Sequence, residues 1–185
     1  MDASFVPGYN RFPANDFPRI AVSDRYGTVS IVWNDARLHP LGDILMQSFA
    51  LGNLSPVQGT PLRLNSHASG GLHFMPALRN ADADGRLNVS WYERSSPTTA
   101  LTNVFAALSL NPRTTSRPGS TTLVTDAPSN WLVVSSDIVP NFGDYTDNYV
   151  IATASAPFTG QTLYVAWSDG RLGLPQPFEA YTQTT

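Results

Sequence analysis

The chain contains no cysteine, no lysine and only two glutamates among its 185 residues. Without cysteine there are no disulfides and no thiolate metal sites, although this alone does not fix a compartment. All eleven cationic side chains are arginines, scattered along a chain of net charge −3. No basic stripe exists, which argues against a nucleic-acid partner. No apolar run approaches the ~18 residues needed to cross a bilayer. Residues 1–10 lack the basic start and apolar stretch of a signal peptide. A long helical protein would be richer in Glu, Lys and Leu. A chain with 14% charged residues, 13 Gly and 15 Pro reads instead as many short strands joined by turns.

What the chain does have is repetition. A tryptophan-centred phrase occurs three times: Trp33-Asn34-Asp35-Ala36-Arg37, Trp91-Tyr92-Glu93-Arg94 and Trp167-Ser168-Asp169-Gly170-Arg171. Each follows a short run of strand character: Val29–Val32, Leu87–Ser90 and Leu163–Ala166. Self-similarity at this spacing marks a repeat architecture.

Around the phrases the chain divides into three similar units, at about 18–65, 73–125 and 143–185, after an irregular segment 1–17. In unit one, strands are predicted at Arg19–Val22, Thr28–Trp33, Asp43–Phe49 and Pro61–Leu64. Unit two predicts Met75–Leu78, Arg86–Trp91, Asn103–Ser109 and Thr121–Val124. In unit three, Tyr149–Ala154, Thr162–Trp167 and Phe178–Thr184 are predicted. Asp24–Gly27 and Asp82-Ala83-Asp84-Gly85 read as turns, the second because Asp-Gly accepts positive φ readily. Polar linkers are expected at Asn65–Gly71 and Asp126–Asn141. Four antiparallel strands per unit, repeated about an axis, describe β-propeller blades. A Trp ending the second strand would fill the space between blades.

These residues carry a resemblance to the bacterial sialidase-like propellers with BNR or Asp-box repeats, covering about Phe17 to Thr184. It rests on the three Trp phrases, the first strands of the units and Gly143-Asp144-Tyr145. The Asp-box is degenerate: Ser48 and Gly52 fall in register, but Ala50 replaces its Asp and Ser55 its Trp, and in the second unit Arg113 replaces its Gly. The resemblance implies a glycan-directed module of a secreted or cell-surface protein, similar to glycoside hydrolases of the sialidase type. A non-catalytic, protein-binding scaffold is the alternative. Three blades do not close a ring. The missing blades would come from a longer protein or from another copy of the chain.

In a propeller the ends of second strands and the starts of first strands share one face. That gathers Asp35, Arg37, Glu93, Arg94, Asp144, Tyr145, Asp169 and Arg171 around a mouth. Arg is suited to a sugar carboxylate because its planar fork binds two oxygens at once. The sialidase resemblance implies Tyr145 as nucleophile, Glu93 as its base and Asp144 or Asp169 as the acid, with Arg37, Arg94 and Arg171 holding the substrate. The residues also support a plainer reading, in which the repeated acid–Arg pairs fix loops and the Trp rings are packing. No cofactor is expected. Asp82–Gly85 lacks the later ligands of a calcium loop, and His39, His67 and His73 have no metal-ligand spacing.

Overall fold

The computed structural model describes residues 17–66, 71–81, 84–96, 98–130, 146–153, 160–172 and 176–184. Asp144 and Tyr145 lie outside them, as do His67, Asp82 and Ala83.

The described chain is all-β. Sheet one is β1 (Arg19–Ser23), β2 (Thr28–Asp35), β3 (Asp43–Ala50) and β4 (Leu62–Arg63), in that order. Sheet two is β5 (Leu72–Asn80), β6 (Leu87–Arg94), β7 (Leu101–Leu110) and β8 (Thr122–Leu123), with β9 (Ser129–Asn130) pairing the start of β7. Sheet three is β10 (Asp147–Thr153), β11 (Gly160–Asp169) and β12 (Gln176–Thr184). Every pairing is antiparallel. The first strands lie side by side at the hub, β1 against β5 and β5 against β10. This is the blade arrangement of a β-propeller, here with three blades described. Among the described residues no helix is long and apolar enough to cross a membrane.

Two apolar cores fill the gaps between sheets. Between sheets one and two, Ala21, Val32, Ile44 and Met46 meet Leu78, Leu87, Val89 and Trp91. Between sheets two and three, Phe74, Tyr92 and Val104 meet Val150, Leu163, Val165 and Trp167. Trp91 and Trp167 therefore each pack onto the preceding blade. The alternation of buried and half-buried residues in β2 has the period of two that a pleated strand imposes.

Polar contacts also cross the gaps. Asn148 donates through Nδ2 to Ala77 O at 3.2 Å and Ser90 Oγ at 2.9 Å. The Tyr92 hydroxyl donates to Ser168 O and accepts from Ser168 N. Arg79 pairs with Asp147 at 2.7 Å. Gly85 turns at φ +70°, and Ser23 Oγ of the neighbouring blade donates to its carbonyl. A side chain there would place its Cβ 2.5 Å from that oxygen, so only glycine fits.

Three expectations need correction. The strands run through the Trp phrases rather than ending at them: β2, β6 and β11 reach Asp35, Arg94 and Asp169. Ser48, expected in an Asp-box between strands, sits inside β3, and its hydroxyl shares a hydrogen bond with Ser30. The expected linker after Asp126 contributes β9.

Candidate functional site

The three Trp phrases form one recurring device. The indole N–H of Trp33 donates to Asp35 Oδ2 at 2.8 Å, and that of Trp167 to Asp169 Oδ2 at 3.1 Å. The arginine two residues further on closes over the same carboxylate: Arg37 to Asp35 at 2.6 Å, and Arg171 to Asp169 at 2.7 Å. Each arginine also donates its backbone N–H to that carboxylate at 2.8 Å. The plainer reading of these pairs is what the geometry shows. They lock the chain as it leaves the second strand.

Blade two departs from the pattern. Trp91 Nε1 still points at the acid, Glu93 Oε2, at 3.5 Å. The second partner is not an arginine but the imidazole of His73, whose Nε2 lies 3.2 Å from Oε2. His73 and Glu93 are directly opposite in the register of β5 and β6. His73 is buried, while the Glu93 side chain keeps 15% of its surface open. Glu93 Oε1 accepts no hydrogen bond among the described residues.

Behind His73 the polar chain continues. Its Nδ1 lies 3.0 Å from Gly42 O and 3.3 Å from Asn65 Nδ2. The tautomer sets the role of Nδ1: without a hydrogen it accepts from Asn65, and carrying one it donates to Gly42 O. Asn65 in turn donates to Asp43 Oδ1 at 2.8 Å and accepts from Ile44 N through Oδ1. The relay from Asp43 to Glu93 joins the start of β3, the residue two beyond β4, the start of β5 and the end of β6.

A bulge makes this possible. The β5–β6 register shifts between Phe74 and Ala77, and Met75 sits at φ +50°. That is the left-handed region, uncommon for a residue with a side chain. Beyond the bulge, Leu72–Phe74 continue β5 past the level at which β1 begins: Arg19 faces Val32, as Ala77 faces Ser90, each one residue before the blade's Trp.

The sequence-predicted residues are placed as follows. Arg37 lies on the surface, held by Asp35. Arg171 bridges Asp169 and Asp126 and covers the Phe178 ring at 4.6 Å. Arg94 does not face a mouth. It follows Glu93 on the same strand, so its side chain turns to the opposite face and is completely enclosed. Its Nε donates to Thr102 Oγ1 at 2.8 Å, and burial pushes the guanidinium down to about 10. Burial likewise pushes the Tyr92 hydroxyl well above its usual range. His73, Asn65 and Asp43 were not singled out by the sequence. Extending the first strand of unit two back by three residues would have reached His73, but a regular ladder sets it opposite Arg94, and only the bulge brings it to Glu93.

The clamps carry a pH dependence. Hydrogen bonds from the Arg37 side chain hold the Asp35 carboxyl well below its ordinary value, and those from Arg171 lower Asp126. Burial alone would raise Asp169, but the bonds from Arg171 and Trp167 outweigh it and the net direction is down. Folded values below unfolded ones mean stabilisation that is complete above the ordinary carboxylate value of 3.8 and lost as pH falls through the lowered values. Thermal unfolding followed by circular dichroism is expected to hold its midpoint down to about pH 5 and to fall steeply below pH ~4. Asp169→Asn flattens that fall. A midpoint that instead dropped on the alkaline side would contradict the assignment.

No protein-family profile matches the chain, and no curated protein does. Solved structures do. An α-L-arabinanase from Penicillium chrysogenum, solved with arabinobiose, aligns over 96% of this chain and 48% of its own, with TM-score 0.51 and 16% identity. An α-L-arabinofuranosidase from Fusarium graminearum, in complex with an iminosugar inhibitor, aligns over 97% and 47%, with TM-score 0.47 and 16% identity. An N-acetylgalactosamine deacetylase from F. plautii aligns over 92% and 50%, with TM-score 0.44 and 9% identity. At these identities the likeness concerns the fold. The chain spans about half the length of these structures.

Proposed function

We propose that this chain is a glycan-directed propeller module, and that a carbohydrate hydroxyl meets the Glu93–His73 pair. The observation that carries the reading is the bulge at Met75. It holds a residue in a sparsely populated backbone region to set an imidazole against the one acid of the three Trp phrases that no arginine clamps. Strained backbone and bulges cluster where side chains must be aimed. Glu93 keeps one oxygen for a sugar hydroxyl, and the His73 imidazole holds the other. The arabinanase likeness makes arabinose-containing oligosaccharides the first probes; the sialidase resemblance adds sialosides.

A sialidase-type hydrolase would use Glu93 to activate Tyr145, with Asp144 and not the enclosed Asp169 transferring the proton, an acid–base division of labour for which a carboxylate near an imidazole is suited. Binding comes first in the test. Titration calorimetry with arabino-oligosaccharides and sialosides is expected to show saturable binding, weakened about tenfold or more by Glu93→Gln and by His73→Leu. Release of a fluorescent leaving group, lost in Glu93→Gln and Tyr145→Phe, would add catalysis to binding. Unchanged affinity in both Glu93 and His73 variants would remove the site from consideration. The scaffold reading draws on the Asp35–Arg37 and Asp169–Arg171 clamps, whose groups are occupied with one another; it predicts no sugar binding at all.

A further inference from the structure

Among the described residues the two outer sheets each leave one face without a neighbour, and the inner packing tells what belongs there. Trp91 and Trp167 bury their rings against the blade before them. Trp33 is their counterpart in blade one, on a face it shares with Ile20 and Val22, and no blade precedes it among the described residues. Ile20 is 63% exposed and Val22 47%. At the other end of the arc, Tyr149, Tyr164 and Tyr181 are successive partners across β10, β11 and β12. They form an aromatic row on the face turned away from blade two. Tyr149 is 64% and Tyr181 67% exposed. Isolated surface aromatics are ordinary, but a row crossing a whole sheet marks an interface.

We propose that a second copy of this chain occupies both faces, the tyrosine row of each copy seating on the Trp33 face of the other. The two faces are the following and preceding sides of a blade, so the contact continues the rotation that already relates blade one to two and two to three. The arc aligns almost entirely with a propeller chain of twice its extent. Two arcs therefore make one ring, and a head-to-tail contact whose rotation closes gives a discrete dimer rather than a filament. The tyrosines suit such a contact because their rings bury large area while their hydroxyls tolerate water. The proposal does not depend on the carbohydrate reading.

Sedimentation of the 185-residue chain at micromolar concentration tests it. The expected mass is twice the 20.1 kDa of one copy. Ile20→Arg and Tyr149→Glu, both at exposed positions, should each give a folded monomer by circular dichroism. Mixing the two variants should restore the dimer, since one of its two contacts then pairs Arg with Glu and the other is unaltered. A wild-type chain that sediments as a single copy overturns the proposal, as do open-ended assemblies. A dimer that survives both substitutions, or variants that fail to reassociate when mixed, overturns the head-to-tail arrangement.

Discussion

Replacing Trp91 with alanine is expected to cost about 3–5 kcal/mol and to lower the thermal midpoint by roughly 10 °C. The ring is 1% exposed and lies in the core shared with Ala21, Val32 and Ile44 of the preceding blade. Deleting it removes apolar contacts and leaves a void that rigid strands on both sides do not collapse into. It also strips Glu93 of its indole N–H. The contrast is Trp33→Ala, the same phrase on a half-buried face, whose cost in the isolated chain should be clearly smaller. Urea titrations of both substitutions in the monomeric Ile20→Arg background decide the matter. Equal losses would mean that the rings do not pack between blades.

Asp169→Ala is the second large effect, at about 3 kcal/mol. The Asp169 side chain is fully enclosed and accepts from Trp167 Nε1, from the Arg171 backbone and from the Arg171 guanidinium. Its removal leaves a largely buried arginine with Asp126 as its remaining carboxylate and a buried indole N–H without an acceptor. Asp35→Ala breaks the same set of bonds where the arginine is 69% exposed. Water replaces most of what is lost there, so the effect should be a small fraction of the first. The same titrations measure both. Comparable losses would show that burial does not set the strength of these clamps.

The difference between those pairs also explains what could be read in the sequence. The strands were legible because alternation and turn residues act locally: β1, β2, β3 and β7 fall within one or two residues of the pattern in the chain. The propeller was legible from the Trp repeat, since large rings at equivalent positions imply equivalent gaps. The site was less so. The first strand of unit two was read as starting at Met75, and Pro76 beside that start gives no sign of a ladder before it, because proline cannot donate to the ladder. The chain instead passes it through a bulge at Met75 and continues back to Leu72. His73 consequently looked like a loop residue. Arg94 was misplaced for a related reason: β6 runs three residues beyond Trp91, and alternation then turns Arg94 away from Glu93.

The bonds that cross between sheets bear on how the fold holds together. The Tyr92 hydroxyl exchanges donor and acceptor with the backbone of Ser168, Asn148 caps a carbonyl of β5, and Gln58 reaches the carbonyls of Pro112 and Thr114. Peeling off any one sheet would strand polar groups in its neighbour as well as baring an apolar face. The smallest cooperative element of this molecule is therefore larger than a blade: its sheets stand or fall in company, although each is a self-contained antiparallel meander.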